Sequence, residues 1–157
     1  MKHLLGISFI FLFLASCGNR SPLTKAEQRQ VAAEVEQMIQ RYSEDIKENG
    51  LLAEFRYLDS SADFYWIPPG YNDSIAYDSV AAILKRNAPR FRSINNVYDS
   101  LEILPISNTS AMYTATVHST KTDTSGKTTS HMLFENAMVV KRTDGWKLLA
   151  GKTTVKK

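Results

Sequence analysis

The sequence has little cysteine, little histidine and almost no excess charge. Its 157 residues include one cysteine and three histidines, and 19 basic against 16 acidic residues give a net charge of +3. A single cysteine excludes an internal disulfide and a cysteine-rich zinc site. The small positive charge does not by itself favour nucleic acid as a partner. With 43% hydrophobic and 22% charged residues, the chain has the composition of a folded globular protein, long enough for one ordinary domain or two very small ones.

The N-terminus carries an uncharged apolar run at residues 4–14, just after Lys2. The run is shorter than the about 20 residues that a membrane-spanning helix needs, and it has the length of the apolar region of a signal peptide. The sequence Leu14-Ala15-Ser16-Cys17 that follows it resembles the bacterial lipobox at all four positions. The resemblance implies cleavage before Cys17 and attachment of lipid to this residue. An ordinary secretory signal or a buried N-terminal helix are the alternatives.

We therefore expect residues 1–16 to be a lipoprotein signal peptide and residues 17–23 a lipidated tether. Several acyl chains on Cys17 would give stable attachment to a membrane, which one chain alone does not. Gly18 follows the cysteine, where an aspartate would resemble the inner-membrane retention signal of enteric bacteria. We expect a protein of the bacterial cell envelope, anchored in the outer membrane and facing the periplasm.

The remaining residues, 24–157, predict one domain in which helices precede strands. Thr24 and Glu27 fit a capping box, and apolar residues then recur every three or four positions as far as Ile46. A strand is predicted at 63–67 and a helix at 78–88. From residue 94 onwards apolar and polar residues alternate between turn signals, which indicates four strands in hairpins. This order predicts an α+β fold with helices on one face of a curved antiparallel sheet.

The order resembles the nuclear transport factor 2-like superfamily, in its SnoaL-like branch, over residues 24–157. The long first helix, the segment at 62–66, the helix at 78–88 and the closing hairpin at 141–148 carry the resemblance, and no single motif is specific. It implies a cone-shaped sheet, the cystatin-like roll, with a pocket between sheet and helices. It also implies a homodimer through the outer face of the sheet.

Aligning the strands on the family's closing hairpin predicts which side chains face the pocket. The candidates are Asp63, Tyr65, Ile67, His131, Leu133, Glu135 and Trp146, with Ala150 and Lys152 further along the last strand. Apolar lining with few polar groups is typical of a small-molecule site. We expect a small apolar or amphipathic ligand, and neither a cofactor nor a metal, because no metal-ligand motif links the histidines. No nucleic acid partner is expected.

Catalysis remains an open alternative at this stage. Asp63 or Glu135 near His131 would form an acid/base pair. His131 and Glu135 lie about 13 Å apart along one strand at 3.3 Å per residue, so the pair requires Asp63 or a bend. In family members that isomerise ketosteroids, acidic residues stand where this chain has Ile67 and Ala137. Their proton-shuttle mechanism is therefore not expected here. Asp63 and His131 are the catalytic candidates of the alternative function, a hydrolase, dehydratase or isomerase, and the third possibility is an interaction module with a vestigial pocket.

The opposite face of the strand at 129–141 is the more apolar one. Met132, Phe134 and Met138 lie on it, and a monomer has no reason to place such side chains in water. This pattern favours a homodimer through these residues. In the alternative arrangement the two faces are exchanged and this set belongs to the core.

Overall fold

The computed structural model describes residues 22–156. Cys17, the signal peptide predicted at 1–16 and the tether as far as residue 21 lie outside the described residues. None of the helices described is long and apolar enough to cross a membrane.

Two helices and six strands make up the described chain, and they confirm the predicted α+β class. The helices are α1 (Lys25–Asn49) and α2 (Tyr77–Asn87), with short 3-10 turns at Leu51–Arg56 and Ala88–Arg90. The strands are β1 (Tyr65–Ile67), β2 (Ile75–Ala76), β3 (Phe91–Ser107), β4 (Ser110–Asp123), β5 (Thr128–Arg142) and β6 (Gly145–Val155). They form one curved sheet in the order β2-β1-β6-β5-β4-β3, in which β1 runs parallel to β6 and the other neighbours are antiparallel.

Helix α1 begins and ends where its local chemistry predicts. The Thr24 hydroxyl accepts a hydrogen bond from the Glu27 backbone N–H at 3.2 Å, and the Thr24 backbone N–H donates to the Glu27 carboxylate at 2.8 Å. Gly50, with φ of 78°, ends the helix. The apolar stripe of the helix is buried against the sheet, at Val31, Val35, Met38, Ile39, Tyr42 and Ile46.

The inward face of β5 is the one that alignment with the family's closing hairpin predicts, and β4 also buries one of its alternating faces. Tyr113 and Val117 on β4 and Ala137 and Val139 on β5 are buried. The exchanged arrangement of β5 is therefore excluded, and Met132, Phe134 and Met138 lie on the outer face. Pro105 lies in β3, an edge strand, beside a shift in register, which is where a strand tolerates a residue without an N–H donor.

The predicted inward face of β1 is wrong by one residue. Trp66, not Tyr65, faces inward, because it pairs with Gly151 on the concave side of β6. Tyr65 is 50% exposed, and Asp63 is also exposed. A shift of one residue moves every side chain of a strand to the other face. Ile67, which alternates with Trp66, also lies on the outer side and is partly buried.

The inward face of β6 changes midway along the strand because of a bulge. Leu148 pairs with Val139 whereas Ala150 pairs with Met138, so Leu149 is an extra residue. Beyond the bulge the inward positions are Gly151 and Thr153. Ala150 and Lys152, predicted to face inward, therefore share the outer face with Met138 and Asn136.

Candidate functional site

A cavity of about 390 Å³ lies between the two helices and the concave face of the sheet. Helix α1 contributes Tyr42 and Ile46, and α2 contributes Val80 and Leu84. The sheet side includes Phe64, Trp66, Ile94 and Leu133. Most of the wall is apolar, so each polar group that lines the cavity is informative about what the cavity can hold.

Glu135 of β5 points into the cavity and is held by hydrogen bonds on both oxygens. The Tyr113 hydroxyl donates to Oε2 at 3.2 Å, and the Thr153 hydroxyl donates to Oε1 at 3.5 Å. The Trp66 indole N–H donates to Thr153 Oγ1 at 3.1 Å, which extends the chain of hydrogen bonds to β1. Burial raises the pKa of Glu135 to about 6, although the Tyr113 and Thr153 hydroxyls favour its charged form.

Glu54 is the second carboxylate of the cavity and comes from the 3-10 turn after α1. Burial raises the pKa of Glu54 to about 7, the negative charge of Glu135 adds to this rise, and the Tyr42 hydroxyl and Lys121 oppose it. A carboxyl group whose pKa lies near 7 changes charge readily at neutral pH. The cavity therefore contains two coupled acidic groups on apolar walls.

Two further polar atoms of the cavity wall have no hydrogen-bond partner. Ser119 is only 2% exposed, and its Oγ is buried without a partner, as is Oδ1 of Asn96. Buried polar atoms in native proteins nearly always have a partner, and leaving one unpaired costs about 1–3 kcal/mol. These two atoms are available to a bound molecule. Lys121 and Arg86 also line the cavity, and Lys121 Nζ lies 5.6 Å from the centroid of the Phe91 ring.

The structure brings two of the seven predicted pocket residues to the cavity, Leu133 and Glu135. Trp146 is buried, but it lies away from the cavity, and its indole N–H donates to Glu34 Oε2 at 2.9 Å. His131 lies opposite Ser119 in the β4–β5 register, yet it is exposed and does not line the cavity.

Asp63, Tyr65 and Ile67 do not line the cavity, because β1 presents its other face. Asp63 and His131, the predicted catalytic candidates, therefore share no site in this cavity. Among residues 22–156, no cluster of three or more histidine, cysteine, aspartate or glutamate side chains could hold a metal ion.

Sequence reasoning missed Glu54, Trp66, Ser119 and Thr153. Glu54 had one local signal, because it is a single charge inside the otherwise apolar run from Leu51 to Phe55. Trp66 and Thr153 had no local signal. The inward orientation of Trp66 depends on the β1–β6 pairing, and that of Thr153 depends on the bulge in β6. Ser119 continues the inward alternation of β4 and could have been found by extending that pattern by one step.

No family model matches the chain, and no curated protein matches it. Solved structures do match. A proposed scytalone dehydratase from Novosphingobium aromaticivorans is similar at 16% identity and a TM-score of 0.72, over 85% of this chain and 89% of that one. A nuclear transport factor 2-like superfamily protein from Salmonella enterica matches at 16% identity and a TM-score of 0.69, over 82% and 93% of the two chains.

A third match is an uncharacterised protein with a cystatin-like fold from Caulobacter vibrioides, at 14% identity and a TM-score of 0.64, over 82% of this chain and 91% of that one. Sequence identities this low carry information about the fold and not about the activity. The curved sheet, the helices on its concave side and these likenesses together show that the chain has the nuclear transport factor 2-like, or cystatin-like, fold.

Proposed function

We propose that this protein binds a small molecule with an apolar body in the cavity between its helices and sheet. The observation that carries the proposal is the buried hydroxyl of Ser119, which has no partner and lines a mainly apolar cavity of about 390 Å³. A bound molecule would fill the space and supply the missing hydrogen bond. Binding alone accounts for these features, without a reaction.

Mass spectrometry of small molecules extracted from the protein purified from its host tests this proposal. Two neighbouring residues of β5 provide matched variants, because Leu133 lines the cavity and Phe134 lies on the outer face. Leu133→Trp should fill the cavity and abolish the bound molecule, whereas Phe134→Trp should retain it. Equal occupancy in the two variants, or no bound molecule in the wild-type protein, would contradict the proposal.

We also propose that lipid on Cys17 anchors the domain to the outer membrane on its periplasmic side. The lipobox at residues 14–17 supports this, and residues 18–23 would then connect the anchor to the domain. Cys17→Ala should release the protein from the membrane fraction, while Ser21→Ala in the tether should not. Persistent membrane association of Cys17→Ala would contradict lipid anchoring.

A homodimer through the outer face of the sheet is the third element of the proposal. Leu104, Met112, Met138, Ala150 and Tyr65 are successive cross-strand partners, and we call them the outer row. Leu104 is 64% exposed and Met112 38%. An apolar row across five strands is a self-complementary surface of the kind that a twofold dimer buries.

A further inference from the structure

We propose that the ligand of this cavity carries an uncharged hydroxyl group, which lies between Ser119 on β4 and Asn96 on β3. This inference rests on the proposed binding function and specifies the chemical class of the molecule bound, an apolar alcohol. It is carried by the register that makes the two residues neighbours, by the two unpartnered atoms that they bring to the cavity, and by the balance of charge around it.

Ser119 and Asn96 lie side by side on the concave face of the sheet. They are register partners in the antiparallel β3–β4 pair, in which opposite Cβ atoms are about 4.5–5.5 Å apart. Both residues line the cavity, and neither Ser119 Oγ nor Asn96 Oδ1 has a hydrogen-bond partner, although both atoms are buried. The two atoms therefore do not bond each other, and a group placed between them can bond both.

Other polar groups of the cavity wall are already engaged. The hydroxyls of Tyr113 and Thr153 donate to Glu135 at 3.2 Å and 3.5 Å. A ligand that approached this group would have to break existing hydrogen bonds, whereas Ser119 Oγ and Asn96 Oδ1 have none to lose. Satisfying a buried atom that lacks a partner gains more than replacing a hydrogen bond that already exists. The unpartnered pair therefore determines which head group the cavity prefers.

The two unpartnered atoms differ in what they need. The amide oxygen of Asn96 only accepts hydrogen bonds, whereas the Ser119 hydroxyl donates as well as accepts. A ligand hydroxyl donates its hydrogen to Asn96 Oδ1 and accepts the hydrogen of Ser119, so that one oxygen satisfies both. A carboxylate or an ether has no hydrogen for Asn96, and an ammonium group has no lone pair for the hydrogen of Ser119.

The charges that line the cavity also favour an uncharged group. Glu54 and Glu135 are matched in number by Lys121 and Arg86. Lys121 lies two residues from Ser119 on the same face of β4, about 7 Å along the strand, so its charge opposes an ammonium group there. Glu135 lies four register positions from Ser119, about 13 Å away, which is too far to form an ion pair with that ammonium group. A hydroxyl avoids the cost of burying an unpaired charge.

Four probes with one apolar body test the inference: 4-phenylbutanol, its methyl ether, 4-phenylbutylamine and 4-phenylbutanoate. Titration calorimetry on the lipidated protein in lipid nanodiscs, with empty nanodiscs as the blank, measures each affinity at neutral pH. The alcohol should bind about tenfold more tightly than each of the others. An ether, amine or carboxylate that binds as tightly as the alcohol would overturn the inference while leaving the binding function intact. If none of the four binds, the proposed binding function fails as well.

Variants identify the groups responsible. Ser119→Ala should weaken alcohol and ether binding alike, because both oxygens accept from the Ser119 hydroxyl. Asn96→Leu keeps the size of the side chain but removes the acceptor, so it should weaken alcohol binding about tenfold and leave ether binding unchanged.

Thr120→Val is the matched control. It removes a hydroxyl from the next position of β4, where Thr120 Oγ1 lies 2.9 Å from Ser130 Oγ on the outer face, and it should change neither affinity. Alcohol affinity unchanged in both Ser119→Ala and Asn96→Leu would refute the site assigned to the hydroxyl; if one of these variants does not fold, the other decides.

Discussion

A Cβ atom at Gly151 of β6 would lie 2.7 Å from the Trp66 ring of β1 and 2.8 Å from the Cβ of Ala137. Trp66 and Gly151 are register partners in the parallel β1–β6 pair, and Ala137 is the partner of Gly151 on β5. The absence of a side chain at Gly151 therefore makes room for the indole ring. The ring in turn orients Thr153, which donates to Glu135.

Gly151→Ala should lower the free energy of unfolding by about 1–3 kcal/mol, which is typical of an overpacked position. It should also displace the Trp66 ring and weaken binding in the cavity. Urea denaturation measures the first effect, and the amount of small molecule that the purified protein retains measures the second. Adding Trp66→Phe to Gly151→Ala should restore part of the stability, because the atoms that clash belong to the outer ring of the indole. Wild-type stability in Gly151→Ala would contradict this account.

The two cavity carboxyls, Glu54 and Glu135, make the free energy of unfolding depend on pH. Burial raises the pKa of Glu54 to about 7 and that of Glu135 to about 6, against 4.5 for an ordinary glutamate. The folded state thus binds more protons than the unfolded state between pH 4.5 and 7. Their contribution to stability is complete below pH 4.5 and is lost as the pH rises through 6 and 7. We therefore expect the free energy of unfolding to fall as the pH rises across this range.

Urea denaturation at a series of pH values measures this loss. Glu54→Gln cannot ionise, so the decline in the free energy of unfolding between pH 4.5 and 7 should become shallower in this variant. Glu102→Gln, on the exposed surface, should leave the slope as it is in the wild type. The same slope in Glu54→Gln and in Glu102→Gln would show that Glu54 is not the group responsible.

The elements that the sequence predicts well are those with local determinants. A capping box at Thr24, an apolar repeat of three and four residues and a stop at Gly50 specify α1 without reference to the rest of the chain. Strict alternation over more than ten residues predicts two-faced strands at β4 and β5, and the resemblance to the family's closing hairpin indicates which face of β5 lies inward. The placement of Glu135 and Leu133 in the cavity followed from the two together.

The rest of the site depends on contacts between distant segments. The segment from Asp63 to Ile67 has aromatic residues on both of its faces, so its alternation does not indicate which face is buried. Pairing with Gly151, almost ninety positions later, decides it. The bulge at Leu149 then brings Thr153 to Glu135. Gly151 lies two residues further on, but nothing in the sequence marks Leu149 as the extra residue. Both features are properties of the assembled sheet.

Glu34 links α1 to the closing hairpin and should contribute to stability in acid. Its Oε2 accepts hydrogen bonds from Lys141 Nζ at 2.6 Å and from the Trp146 indole N–H at 2.9 Å. These partners lower the pKa of Glu34 to about 2. The folded state therefore favours the charged form, and its contribution is present above pH 4.5 and is lost as the pH falls towards 2.

Glu34→Gln should lower the free energy of unfolding at pH 7 by about 1 kcal/mol, a modest amount because the pair with Lys141 is partly exposed to solvent. The difference from the wild type should shrink as the pH falls from 4.5 to 2. Urea denaturation at pH 7, 4.5 and 2.5 measures this difference in the free energy of unfolding. Glu36→Gln, on the exposed side of the same helix, is the control. A difference that stays constant down to pH 2.5 would contradict the assignment.

The outer row predicts that a single charge disrupts the proposed dimer. In a twofold interface each substitution is present twice, so a lysine at Met112 places two like charges close to each other in an apolar surface. Met112→Lys should weaken self-association by about tenfold or more and leave the fold intact, because the side chain is exposed in the monomer. Thr124→Lys, in the exposed turn between β4 and β5, adds the same charge outside the row and should not alter self-association. Sedimentation equilibrium measures the self-association of both variants. A wild-type protein that stays monomeric at high concentration would exclude this interface, because Met112 and Leu104 would then remain exposed to solvent.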